Sequence, residues 1–350
     1  MPKKWHGRLE DILDPDNVRA AYWTARLSCK RKDTWTIRRY KSDIVQNALC
    51  NTIRDGKYVP QPAFVFYLYE PINGKWRLIE APTFETKLVE QMILNVFGNQ
   101  ICKFIHPYQC GSVPNKGQEF SRKIVRKWSH LPIKQKKYYV QGDIRQFFPS
   151  IRRDVAMREY ERHIGDSRVV ELIRHMMPHE VGQPLGNALV QATANLVYSR
   201  IMYEAQRFTK RIISQMDDFV ALFSNKRKAK QFIEHMIAFV RDKLGLVIKT
   251  TGKAAVQIWH WSKRAINISG YITSFFGMQK IRRHTYLKIR KCFSLASISS
   301  GQCRSFLSRS GLVKHTDSRE LLDKINNTEL RLNMRSIVSK EDKKRYESAA

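Results

Sequence analysis

"SQMDDFVALF", residues 214–223, sets two adjacent carboxylates, Asp217 and Asp218, in an otherwise apolar run. Side-by-side anions repel, and burying either costs several kcal/mol unless something positive sits beside it. The wider stretch "RIISQMDDFVALF" reads as strand, tight turn, strand, with both aspartates at the turn. Alone, such a pair is an ordinary exposed turn former. A second stretch shifts the balance: "YYVQGDI" reads as a strand ending at Asp143. Three carboxylates at strand ends can share a pair of divalent cations, which would supply the missing positive charge. Two such ions about 3.5–4 Å apart are the device for in-line phosphoryl displacement, so a polymerase or a nuclease is expected.

Composition points the same way. The chain has 350 residues, enough for a large core and two or three subdomains. Lys and Arg number 63 against 31 Asp and Glu, a formal net charge of +32 spread over the whole length. Such an excess on a protein that is 43% hydrophobic favours nucleic acid over a membrane surface, which a local polybasic patch usually serves. The N-terminus lacks a signal-peptide core and no run approaches 18 apolar residues, so a cytoplasmic location without a membrane is expected. Cys29, Cys50, Cys102, Cys110, Cys292 and Cys303 form no C-x-x-C pair, which argues against zinc and for reduced thiols. His175 and His179 have helix-face spacing but lack the Glu of a zinc motif, and Pro178 lies between them, so an ordinary role is expected.

Along the chain, residues 8–56 read as helical, interrupted by the basic "CKRKDTWTIRRYK". "AFVFYLYEPINGKWRLIEAP" reads as two strands closed by an Asn73-Gly74 turn, and "TFETKLVEQMILNVFGNQI" as a helix. Helix follows from about Ser150; "LGNALVQATANLVYSRIMYEAQRF" and "KRKAKQFIEHMIAFVRDKLG" are further helices. "INISGYITSFFGMQKIRR" suggests a hairpin with Gly277 at its turn. From about residue 284 the chain is basic and helical, with its last fifteen residues charged and frayed. The class expected is α+β with a small antiparallel sheet.

"QGDIRQFFPSI", "GQPLGNALVQATANLVY" and "QMDDFVALF", in that order, resemble three core motifs of reverse transcriptases. "YEPINGKWRLIEAPTFETKLVEQMI" resembles the fingers hairpin and its following helix, "HPYQCGSVPNKGQEF" the next fingers motif, "INISGYI" the strand leading to the thumb, and "SGLVKHTDSRELL" the thumb of one branch. The resemblance implies a right-hand fold with mainly helical fingers and thumb: N-terminal helices and fingers over 1–137, palm over 138–275 with inserted fingers helices at about 150–180, and thumb with a basic tail over 276–350. It implies RNA-directed DNA synthesis, with Asp143, Asp217 and Asp218 holding two Mg²⁺ ions (or Mn²⁺) and Ile144 offering its backbone carbonyl to one. Phe148 matches the steric gate against a 2′-hydroxyl; a core Phe is the plain alternative. Arg77 matches the residue that grips the incoming triphosphate, against an exposed hairpin charge. Lys249 or Lys253 falls where the family keeps a lysine able to protonate pyrophosphate. Gly186 and Gln191 belong to the segment under the templating base pair, Gly186 for close backbone approach or as a helix N-cap.

Leu185-Gly186 followed by Gln191 resembles the aliphatic-Gly-x-x-x-Ser-Gln pattern of reverse transcriptases from diversity-generating retroelements, with Val190 in place of the serine. Group II intron enzymes usually carry Gln-Gly there. Gln215 stands where the family's Tyr-x-Asp-Asp has tyrosine. The implied partners are template RNA, primer or cDNA, dNTPs, a small basic accessory protein and a structured non-coding RNA, in a bacterial or phage setting. A reverse transcriptase of antiviral defence is the alternative role. A non-catalytic RNA-binding scaffold is disfavoured by three retained aspartates, and a nuclease by the fingers motifs. The basic, aromatic-interleaved segments near 30–41, 121–139 and 279–291 are expected to track template and primer phosphates.

Overall fold

Asp14 accepts backbone hydrogen bonds from Asp16 and Asn17, and Pro15 takes the first helical position, so the first long helix starts where local chemistry dictates. The computed structural model describes residues 4–29, 31, 33–70, 75–184, 186–252, 254–293, 299–325 and 328–347. Four helices open the chain: α1 (Leu9–Ile12), α2 (Pro15–Ser28), α3 (Trp35–Arg39) and α4 (Asp43–Arg54). Strands β1 (Phe64–Glu70) and β2 (Lys75–Ala81) pair antiparallel as an isolated ribbon. The expected Asn73-Gly74 turn lies outside the described residues. Helix α5 (Phe84–Phe104), capped by Thr83, packs on α2, and α6 (Gln118–Ser129) follows.

Strand β3 (Tyr138–Asp143) leads into the short α7 (Phe147–Ser150), then α8 (Arg153–His163), α9 (Ser167–His175) and the buried α10 (Ala188–Gln206). Strands β4 (Ile212–Gln215) and β5 (Asp218–Phe223) come next, then α11 (Lys226–Leu244), ended by Gly245 in the left-handed region, and β6 (Gln257–His260). The central sheet is antiparallel with order β4-β5-β3-β6. Both of its faces are covered, which explains why "DFVALF" shows no polar alternation. Val140, Phe219, Ala221 and Phe223 enter the large core shared with α5, α8, α10 and α11. Tyr139, Val220 and Leu222 point the other way, into a second core with Val125, Trp128 and Trp261.

Three short strands, β7 (Ile266–Ile268), β8 (Tyr271–Thr273) and β9 (Gln279–Ile281), form an antiparallel sheet instead of the expected single hairpin. Ser269 and Gly270, both at positive φ, make a first tight turn, and Gly277 lies in a second connection. Helices α12 (Arg283–Phe293), α13 (Ser300–Val313), α14 (Arg319–Ile325) and α15 (Thr328–Glu347) close the chain around their own core of Ile289, Phe306, Val313 and Ile325. The tail expected to fray is helical to Glu347, because α15 packs along α13. Among the described residues no helix is long and apolar enough to cross a membrane.

Candidate active site

Register brings the carboxylates together. Asp143, the last residue of β3, lies directly opposite Asp218, the first of β5. Such partners carry their Cβ atoms about 5 Å apart on the same face. Asp217 occupies the turn and Asp218 already belongs to the strand, so the turn takes one aspartate of the expected two. Met216 adopts φ +57°, a conformation disfavoured for a bulky side chain. The backbone carbonyl of Asp217 is held from two sides, by the Ile144 N–H at 3.2 Å and the Tyr198 hydroxyl at 3.4 Å. Gly111 passes so close that a Cβ there would lie 2.5 Å from the Met216 backbone nitrogen. A side chain at 111 would therefore push the turn out of place.

The electrostatics are those of an undercompensated cluster. Burial and the neighbouring Asp143 and Asp217 carboxylates push Asp218 up to about 7, with Arg282 opposing. Burial, then Asp143, also raises Asp217, against Lys249 and Arg77. Burial and the same three aspartates hold the Tyr198 hydroxyl well above its ordinary range. Lys249 donates its backbone N–H to the Asp143 carbonyl at 2.9 Å, and its ammonium forms an ion pair with Asp143 Oδ1. Among the described residues no three acidic, His or Cys side chains stand as a ready-made metal cage. The donor set nonetheless fits hard divalent cations: buried carboxylates, all oxygen donors, that raise one another's pKa because nearby cations compensate them only in part.

The remaining expected residues are distributed around this cluster. Ile144 is buried and its N–H is committed to Asp217. Phe148, on α7, is half-buried against the main core and edge-on to Phe147 at 5.6 Å. Arg77 is exposed on β2, opposite Leu68, and its charge reaches Asp217. Gly186 has φ +110°, and the nearest atom to a Cβ there would be the Glu80 carbonyl oxygen at 3.7 Å. Its backbone conformation by itself favours glycine here. The N-cap of α10 is Asn187, whose side chain accepts from the Val190 N–H at 2.9 Å. Gln191 is half-buried in the first turn of α10, and Val190 is buried. Lys253 lies outside the described residues. His179 bonds Glu80 at 2.9 Å and His175 lies near Glu171, which agrees with ordinary roles.

Sequence reasoning missed Gly111, Tyr198 and Arg282. A cavity of about 590 Å³ opens beside Asp143 and Asp218 and is also lined by Trp259, Arg264, Asn267 and Arg282. Arg282 donates to the Asn267 side chain at 2.7 Å, and the Arg264 guanidinium stacks 4.0 Å over Trp259. Arg282 sits in one of the basic segments, but nothing in its sequence neighbourhood separates it from the adjacent cations. Gly111 lies within "HPYQCGSVPNKGQEF", and its glycine was the available signal.

An antiparallel sheet with facing carboxylates at the ends of its two central strands, backed by helices and beside a cavity that holds Arg264 and Arg282, is the arrangement expected of a nucleotidyl-transferring polymerase. Residues 60–265, more than half of the chain, match the family described as reverse transcriptase (RNA-dependent DNA polymerase), and the chain belongs to that family. The telomerase of Candida albicans, solved with a TWJ fragment of telomeric RNA, is similar at TM-score 0.52 and 12% identity, over 81% of this chain and 56% of that one. At this identity the likeness establishes the shared polymerase fold alone. A truncated apo telomerase of Candida tropicalis gives TM-score 0.47 and 13% identity over 68% of this chain and 60% of that one. A partial Cas6-RT-Cas1–Cas2 complex gives TM-score 0.41 and 15% identity over 67% and 42%. The chain spans less than two thirds of the telomerase chains it resembles. No curated protein matches it.

Proposed function

We propose that this reverse transcriptase copies RNA into cDNA at the Asp143, Asp217 and Asp218 cluster, for a diversity-generating retroelement. The observation that carries the catalytic reading is the facing pair Asp143 and Asp218, with Asp217 beside it and both Asp217 and Asp218 raised by burial and mutual repulsion. Two divalent ions held there would lower the pKa of a primer 3′-hydroxyl and stabilise the oxygen leaving the α-phosphate. The three aspartates and the Ile144 carbonyl would hold those ions. Arg77 grips the incoming triphosphate, and Phe148 closes the space a 2′-hydroxyl would need. Gly186 and Gln191 support the templating pair. Lys249, which pairs with Asp143, would give a proton to departing pyrophosphate. In this reading fingers span 1–137, palm 138–275 and thumb 276–350; the C-terminal core around Phe306 and Val313 supports a thumb of its own.

The retroelement reading rests on Gly186 and Gln191 in the pattern of that branch, with a small basic protein and a structured RNA as partners. Primer extension on RNA with Mg²⁺ or Mn²⁺ tests the chemistry. The native chain should extend, and Asp217→Asn with Asp218→Asn should reduce extension by at least about a thousandfold. Equal activity in both would remove the aspartates from the mechanism. Sequencing the cDNA tests the role: substitutions concentrated at template adenines support a retroelement, and uniform copying favours another biological setting.

A further inference from the structure

Two tryptophans near the N-terminus are exposed although nothing in the family match, which begins at residue 60, involves them. Trp23 on α2 is 49% exposed and Trp35, the first residue of α3, is 75% exposed. Each carries an arginine over its ring: Arg26 lies 5.3 Å from the Trp23 centroid and Arg39 lies 5.8 Å from that of Trp35. Arg26 also pairs with Asp33 at 2.7 Å, which ties the end of α2 to the segment that opens α3. Residues 19–41 hold eight lysines and arginines against one aspartate. Leaving two indoles in water is unfavourable unless a partner covers them.

We propose that Trp23 and Trp35 form a platform on which unpaired bases of RNA stack, while Arg38, Arg39 and their cationic neighbours hold the phosphates. Indole rings stack any base, and flanking guanidiniums neutralise the backbone; together these features select single strands over duplexes, whose bases are already stacked. The local charge favours a polyanion over a protein partner, and the paired Trp–Arg arrangement favours bases over lipid. This goes beyond phosphate tracking in the catalytic cleft and makes residues 19–41 a separate RNA-binding site.

The test uses the full chain carrying Asp217→Asn and Asp218→Asn, so that binding is read without turnover and independently of the catalytic reading. A fluorescein-labelled single-stranded oligoadenylate and an RNA duplex are titrated by anisotropy, and a 4-thiouridine strand is photo-crosslinked and mapped. Adding Trp23→Ala and Trp35→Ala should weaken single-strand binding by about tenfold or more, with duplex binding changed less than about twofold. Crosslinks should fall within residues 19–41. The pair Arg38→Gln and Arg39→Gln should reduce the salt slope of binding, with the melting temperature unchanged. Single-strand affinity unaltered by the tryptophan changes, with crosslinks confined elsewhere, overturns the proposal. So does unaltered RNA affinity accompanied by loss of binding to phosphatidylserine vesicles, which would make the patch a membrane contact.

Discussion

At the residue scale, the site depends on where individual side chains stand relative to three carboxylates. Arg77 is exposed yet reaches Asp217 electrostatically, so its removal should act on nucleotide binding more than on folding. Arg77→Ala is expected to raise KM for dNTPs by roughly 10–100-fold with a smaller fall in kcat. Steady-state incorporation checks this; an unchanged KM would assign triphosphate binding elsewhere. Phe148 is half-buried and packs against the main core, so it is partly open to solvent. Phe148→Val should admit ribonucleotides, raising the ratio of rNTP to dNTP incorporation by at least about tenfold at a stability cost on the order of 1–2 kcal/mol. Gln215, where the family has tyrosine, accepts a hydrogen bond from the Ser269 hydroxyl at 3.4 Å and ties the β4–β5 hairpin to the neighbouring small sheet. The substitution thus has a local structural role and leaves the carboxylates untouched.

At the scale of elements, two contacts set the site in place. The Met216 turn is packed against the Gly111 backbone, with no room for even one methyl group. Gly111→Ala should therefore displace Asp217 and cut extension by at least about tenfold while costing about 1–3 kcal/mol of stability. Parallel activity and melting measurements test it, and full activity would mean that the turn can shift freely. The second contact joins α5 to α10. Glu90 is buried, accepts the Ala188 N–H at 3.1 Å and leaves Oε1 without a hydrogen-bond partner. Burial pushes its carboxyl up from 4.5 to about 7. The folded chain then keeps a proton that the unfolded chain releases between these values. Stability from this group is fully present below about 4.5 and is lost as pH rises to about 7. Glu90→Gln should flatten that dependence and be more stable than the parent at pH above 7, by on the order of 2–3 kcal/mol. Chemical denaturation across pH reads the difference; parallel curves for the two proteins would show that Glu90 is not the group responsible.

For the whole molecule, the charge of +32 surrounds a site that is itself anionic. RNA affinity should fall by about a thousandfold or more between roughly 50 and 200 mM salt, as expected for release of many counterions. A shallow slope would show that few of the basic side chains meet phosphate. Three cores hold the chain together, one on each side of the central sheet and one among α12–α15 that also takes in Ile281 of β9.

Asp143, Asp217 and Asp218 stood out in the amino-acid sequence because their setting is local: Asp143 ends a strand, Asp218 begins one, and Asp217 fills the tight turn before it. The same holds for the longer helices, whose apolar spacing shows within one segment; the cap of α10 does not follow, since Asn187 takes the place considered for Gly186. Tertiary structure alone decided that Asp143 faces Asp218, since register depends on strands separated by more than seventy residues. It alone brought Gly111 under the Met216 turn, Arg282 to the cavity beside Asp218, and Tyr198 to the Asp217 carbonyl. These placements follow from packing two sheets and their helices around buried side chains, and such long-range contacts leave no periodicity in any one segment. The three-stranded β7–β9 sheet was hidden for a related reason: strands of three residues are too short for alternation to show.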